Sequence, residues 1–246
     1  MSMSVHGNDT RLENEIRHGA FIADNPGTIW NWESPAGKIR WRRRAAMLSG
    51  HITPGMMVLE LGCGAGYYTK ELVLTGADIS AIDISPDLLA LAEQNVSSDH
   101  VTFLRENAYA MGFENESFDT VVGSSVLHHL DVKPAIREIH RVLKKGGSMV
   151  FTEPNMLNPQ IMLQKNIPYL KERLGDSPDE TAFFKWQLIR LLKNHGFREI
   201  TVEPFDFLHP SIPRVLIPAF ERLNTWLEHT PFLKEIAGSL FIRAHK

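Results

Sequence analysis

A doubly wound α/β fold, with a mostly parallel sheet covered by helices on both faces, is predicted by three observations. Short apolar runs alternate with segments of helical length from Met56 to Thr152; a glycine-rich turn follows the first run; an acidic residue closes the second. Parallel neighbours need a crossover of a dozen or more residues, and a helix is its usual form, so this alternation points to a parallel sheet.

The elements follow in order. Arg11 to Ala23 reads as a short helix, followed by the aromatic loop Thr28-Ile29-Trp30-Asn31-Trp32. Ser34 is placed to cap a helix with Pro35 in its first turn, ending near Ser49 with Gly50 as the stop. Met57-Val58-Leu59-Glu60-Leu61 is the first strand, and Ala65 to Thr75 a helix. Asp78 to Ile82 is the second strand, and Ser85-Pro86-Asp87 opens a helix to Asn95. Val101 to Leu104 and Phe118 to Gly123 are the next strands; a helix over residues 133–144 leads through Gly146-Gly147 into the strand Ser148 to Thr152. Pro159 and Pro168 break residues 156–174 into a helical excursion suited to a lid. Residues 179–195 read as a helix, 200–205 as a strand, 212–229 as helical and 239–244 as the last strand. The domain reading is a helical cap segment over residues 1–55, then one domain over 56–246 that includes a helical lid at 156–195.

Composition narrows the function. With 43% apolar and 22% charged residues the chain can bury a sizeable core. A formal charge of −3 offers no general attraction to a polyanion, so nucleic acid is not the expected partner. The basic run Arg40-Trp41-Arg42-Arg43-Arg44 points around most of a helix and reads as a solvated surface with one arginine turned inward. The single cysteine excludes an intrachain disulfide and argues against a cysteine-based metal site. No signal-peptide layout and no span of about 18 apolar residues is present, so a cytoplasmic protein is expected, with contact to a membrane surface left open. Oligomeric state is not legible.

The chemistry concentrates in Val58-Leu59-Glu60-Leu61-Gly62-Cys63-Gly64-Ala65-Gly66. Glycines at alternate positions after a buried strand let a ligand lie against the backbone at the strand's carboxyl end. A dinucleotide fingerprint places its third glycine one residue later than Gly66; that position is Tyr67, and its ring argues against a pyrophosphate there. Asp83, about 20 residues after the glycines, offers two oxygens to a ribose diol.

Further motifs follow in order: Ile82-Asp83-Ile84-Ser85, Ser117-Phe118-Asp119-Thr120-Val121, Val126-Leu127-His128-His129-Leu130 and Arg141-Val142-Leu143-Lys144-Lys145-Gly146-Gly147. With these the sequence resembles the class I S-adenosylmethionine-dependent methyltransferases, in particular the small Rossmann-like type 11 group, from about Met56 to Asn155. The resemblance implies a seven-stranded sheet and a site in which Gly62, Cys63, Gly64 and Gly66 hold the methionine part of the cofactor. It implies that Glu60 aids the amino group, Asp83 takes the ribose hydroxyls, Ile84 packs on the adenine, and Ser124 faces the methionine tail. Asn107-Ala108 stands where the family often has Asp-Ala at the adenine edge. An N-terminal segment that closes over the cofactor would bring in Trp30.

The reaction so implied is methyl transfer from S-adenosylmethionine to an oxygen, nitrogen or carbon of a small molecule, with S-adenosylhomocysteine as product and no obligatory metal. A hydroxyl acceptor would benefit from a base. His129 is the first candidate and His128 the second, both also able simply to brace their loop; Glu153 is a further candidate base. The apolar stretch from Phe205 through Trp226 either packs the last strands or lines a channel for a greasy acceptor, with packing favoured. Two other functions remain open: an NAD(P)-dependent oxidoreductase and a non-catalytic S-adenosylmethionine-binding domain.

Overall fold

The computed structural model describes residues 3–24 and 31–246, with residues 3–9 described by backbone alone. Trp30 lies outside the described residues. The chain runs α1 (Met3–Asp24), α2 (Pro35–Ser49), β1 (Met57–Leu61), α3 (Thr69–Val73), β2 (Asp78–Asp83), α4 (Pro86–Asn95), β3 (Val101–Arg105) and β4 (Phe118–Ser124). A 3-10 turn at Leu127–His129 precedes α5 (Val132–Val142) and β5 (Leu143–Pro154), then α6 (Pro159–Asn166), α7 (Pro168–Arg173), α8 (Lys185–Asn194) and β6 (Arg198–Phe205). Two more 3-10 turns, Arg214–Leu216 and Leu233–Ile236, flank α9 (Ile217–His229), and β7 (Ser239–His245) ends the fold.

The strands form one seven-stranded sheet in the order β3-β2-β1-β4-β5-β7-β6. β1 to β5 are mutually parallel, and β7 runs antiparallel between β5 and β6. Helices on both faces explain why β1 and β4 read as continuous apolar runs rather than alternating ones. One face buries Ile136 and Ile139 of α5 and Leu188 and Leu192 of α8 against the sheet; the other buries Leu48 of α2, Leu72 of α3 and Leu89 of α4. The chain leaves β1 toward β2 and returns across the sheet from β3 to β4, so the crevice between the carboxyl ends of β1 and β4 is the switch point at which such sheets bind ligands.

Four elements differ from expectation, each for a local reason. The first helix begins at Met3 instead of Arg11, since a helix once nucleated extends at one hydrogen bond per residue. The helix after the glycines begins at Thr69 instead of Ala65, because Gly64 and Gly66 take left-handed φ values of 52° and 79° that no α-helix admits. α5 stops at Val142 because Leu143 pairs with Phe118 and draws the chain into β5. The helix read over 179–195 is only Lys185–Asn194; before it, Phe183 bridges Asn155. α8 packs against the sheet through Leu188 and Leu192, so the cover over the crevice is confined to the stretch from α6 to Glu180 and does not reach 195. Among the described residues no helix is long and apolar enough to cross a membrane.

The C-terminal apolar stretch divides. Phe205, Leu208 and Ile217 are buried as the packing reading expects, but Val215, Leu216, Leu223 and Trp226 are exposed.

Candidate functional site

A cavity of about 440 Å³ opens at the switch point, within the range of roughly 300–1,000 Å³ usual for small-molecule sites. The loop after β1 forms its floor. Gly62 N–H and Cys63 N–H both donate to the Ile82 carbonyl, at 2.8 and 3.0 Å, tying the loop to β2. Gly62 has a φ of 69°, and a Cβ there would fall 2.4 Å from Val126 Cγ2, so only glycine lets the loop and the chain after β4 approach this closely.

Asp83 ends β2 with its two oxygens spread across the loop. Oδ2 accepts from Gly64 N–H at 2.9 Å and Oδ1 from Ser85 N–H at 2.9 Å. Ser85 Oγ separately accepts from Leu88 N–H as the cap of α4, so capping is not what holds Asp83. Burial pushes the Asp83 carboxyl up, opposed by these N–H donors and by the charge of His129. Each oxygen keeps a second lone pair for a ligand hydroxyl.

Cys63, Gly64, Asp83, Ile84, Ala108 and Ser124 line the cavity, as do both histidines. Three other expected residues do not line it. Glu60 is buried at 3% exposure behind the wall, accepting from Thr69 Oγ1 at 2.6 Å, so it is withheld from direct contact with a ligand amino group. Gly66 turns its α-hydrogens toward α4: a Cβ there would lie 3.1–3.3 Å from Val96 and Ala92, so this glycine serves packing of the loop. Asn107 spends its side-chain carbonyl on Tyr109 N–H at 2.9 Å; its neighbours Glu106 and Ala108 line the cavity instead.

Burial pushes the Glu60 carboxyl up to about 8, Thr69 opposing and Asp83 adding to it. A carboxyl raised on folding contributes stability that is complete below its unfolded value and is lost as pH rises through about 8. Wild type is therefore expected to lose on the order of a few kcal/mol between about pH 5 and 8, since a proton held one pH unit more tightly is worth about 1.4 kcal/mol. Glu60→Gln, which keeps an acceptor for Thr69, should flatten that slope in thermal melts; parallel slopes for the two proteins would show that Glu60 is not the group responsible.

The histidines sit where β4 hands over to the 3-10 turn. Glu153, on the neighbouring β5 and 1% exposed, accepts from Val126, Leu127 and His128 N–H at 3.0, 2.8 and 3.3 Å and contacts His128 Nδ1 at 2.8 Å. Four contacts leave it no capacity as a catalytic base, and the expectation for Glu153 is corrected: it is the anchor of the turn. Burial and the charge of His129 push His128 down, against Glu153 and Glu180.

His129 Nδ1 pairs with Glu15 Oε2 of α1 at 2.8 Å. Burial opposes its charge, but Glu15 and Glu180 outweigh that and push the ring up to about 9. The two carboxylates thus favour the protonated ring, which argues against a general base at His129 unless that proton is displaced. His18 is held down chiefly by burial. For Glu180, too, burial opposes charge, yet His129, His128 and Lys165 hold it well below the carboxylate range.

Sequence reasoning missed the opposite wall. Two arginines of α2, not one, face inward: Arg40 Nε and Arg44 Nη2 both reach Asp206 Oδ2 at 2.8 Å, and Arg44 also donates to Ser239 Oγ at 2.6 Å. Both line the cavity and lie within 6 Å of the Trp32 ring, at 5.9 and 5.7 Å. Burial opposes the Asp206 charge, but the two guanidinium groups hold its carboxyl below the ordinary range. The i,i+4 spacing of Arg40 and Arg44 was the available signal. Arg43 is taken up by Glu228 and Arg42 is exposed. Glu15 and His18 were legible only as polar breaks in the Leu12, Glu15, Gly19, Ile22 stripe of α1; Lys165 and Glu180 carried no local signal.

A family model described as a methyltransferase domain matches residues 59–151. A methyltransferase of Synechocystis sp. is 35% identical over 154 residues, covering 59% of this chain and 68% of that protein. A demethylmenaquinone methyltransferase of Tropheryma whipplei is 29% identical over 234 residues, 88% of this chain and 96% of that one. A solved SAM-dependent methyltransferase of Thermotoga maritima superposes with a TM-score of 0.68 at 19% identity, over 93% of this chain and 99% of the other.

Proposed function

The chain belongs to the S-adenosylmethionine-dependent methyltransferases, and from that premise we propose that it methylates a small lipid-like acceptor, with the cofactor lying along the Gly62–Gly64 loop and Asp83. The observation that carries the cofactor part is Asp83, whose two oxygens brace the loop and still face the cavity. The residues present suit the cofactor. Asp83 offers acceptors to the ribose hydroxyls, and Ile84 and Ala108 offer apolar surface to the adenine. Ser124 stands at the methionine side. Two guanidinium groups against the single carboxylate of Asp206 leave one positive charge at the far wall, suited to the cofactor's own carboxylate.

The sulfonium of the cofactor supplies an already activated methyl group. What remains for the protein is to hold a nucleophile in line with that methyl and to exclude water. The cover of α6, α7 and the chain to Glu180, together with α1, encloses the side where His128 and His129 sit, and an acceptor approaches there. Two facts support a lipid-like acceptor. Relatives that align along most of their length are demethylmenaquinone methyltransferases. The exposed large apolar side chains also concentrate on the cover and the C-terminal region, including Met162, Leu163, Tyr169, Trp226 and Phe232. Such a surface suits an acceptor drawn from, or shielded by, a membrane surface.

The test has two arms. S-adenosylhomocysteine should raise the melting temperature through native-state binding, while NAD and NADP should not; the reverse would reject the cofactor reading. Incubation with methyl-labelled cofactor and demethylated quinols, beside water-soluble phenols and amines, should label the quinols most. Labelling of the soluble acceptors alone would reject the lipid-like acceptor and leave the cofactor reading standing.

A further inference from the structure

At the polar end of the cavity, imidazole nitrogens converge on one carboxylate. His128 Nε2 lies 3.7 Å from Glu180 Oε2; His129 Nδ1 lies 3.7 Å and His18 Nε2 3.6 Å from Glu180 Oε1. These separations are too long for hydrogen bonds. They match instead the edge of a metal coordination shell: two ligands each about 2.0–2.2 Å from a tetrahedral cation stand roughly 3.3–3.6 Å apart. The ligand atoms of His128, His129 and Glu180 all lie within 4.8 Å of one another.

The tautomer of His128 follows from its partner. Glu153 is an acceptor filled by N–H donors, so His128 Nδ1 carries the proton toward it and Nε2 bears the lone pair. That lone pair faces Glu180 Oε2, acceptor against acceptor in a buried place, although Lys165 Nζ also meets Oε2 at 2.5 Å and Ser177 N–H donates to Oε1 at 2.6 Å. A cation between them resolves the conflict, and the Glu153–His128 contact is the carboxylate partner that metal-bound histidines characteristically have on their other nitrogen. Charge balance agrees. Lys165 pairs with both Glu180 and Asp176, but Glu15 adds a third carboxylate beside His129, so the cluster carries more negative than positive side chains.

We propose that His128, His129 and Glu180 form a binding site for a divalent transition cation, which on binding displaces the proton that the His129 ring otherwise holds. Two histidines and a carboxylate suit Zn²⁺, Mn²⁺ or Fe²⁺. All three residues line the cavity, so the remaining coordination positions open toward the acceptor side and fit an oxygen ligand. The site is independent of which acceptor is methylated.

The full chain, stripped with a chelator and dialysed against ZnCl2 or MnCl2, is expected to retain about one equivalent by elemental analysis. Co²⁺ in its place should give visible d–d absorption. Glu180→Gln keeps the shape of the side chain, and His129→Asn changes a residue at the cavity wall; each should weaken binding by at least about 10-fold. Melting curves and S-adenosylhomocysteine titrations on the same samples establish folding and separate this result from the cofactor reading. Should Glu180→Gln not fold, His129→Asn decides alone. Failure of wild type to retain either cation, or equal retention by folded variants, would overturn the proposal.

Discussion

Asp83→Ala is expected to weaken S-adenosylhomocysteine binding by more than the roughly 1.5–3 kcal/mol typical of a hydrogen bond to a charged group, that is by upward of about 10–150-fold. The reason is that one carboxylate does two jobs. Its oxygens hold Gly64 N–H and Ser85 N–H, both at 2.9 Å, and the same oxygens face the cavity. Alanine removes the ribose partner and also frees the loop that forms the cavity floor. Part of the loss should therefore appear as lower stability of the ligand-free protein, about 1–3 kcal/mol for N–H groups left without partners. Asp83→Asn keeps one acceptor and should fall between the two. Calorimetric affinity within twofold of wild type in a folded Asp83→Ala variant would remove Asp83 from the site.

Glu153→Ala is expected to cost about 3 kcal/mol or more of stability, since each buried donor left without its acceptor costs about 1–3 kcal/mol. The side chain is 1% exposed and receives three backbone N–H groups and His128 Nδ1. Those donors are left without their acceptor once the carboxylate is gone. Because the N–H groups belong to Val126, Leu127 and His128, the variant should also lose the turn that presents both histidines to the cavity. Denaturant unfolding followed by fluorescence checks the first point. A loss under about 1 kcal/mol would mean that the turn is held by its own backbone.

The contrast between these two acids marks how far the chain could be read without its fold. Asp83 was legible because its role is local: it ends a strand a fixed distance after a glycine turn, and the register of β1 with β2, Leu61 opposite Ile82, brings the two together in any parallel pair so spaced. Glu153 read as a base because it ends a strand at the mouth of the crevice, yet its surroundings come from β4, beside it only through the sheet order. The same distinction sorts the errors at Glu60, Gly66 and Asn107. Each stands at the right place in a motif, but whether its side chain meets the cavity depends on Thr69, on α4 and on Tyr109, each set by the path of the loop.

By itself the sequence determined the parallel core of the sheet, the switch-point crevice and the glycine–aspartate junction, because hydrophobic period, turn residues and strand-to-strand spacing act over distances of a few residues to a few tens. Only the tertiary structure decided the two carboxylates that face His129, the inward pair Arg40 and Arg44 against Asp206, and the meeting of α1 with Glu180 at the histidines. These are long-range juxtapositions: burial and a partner from elsewhere in the chain set each group's hydrogen bonds and pKa, and neither is written next to the residue it governs.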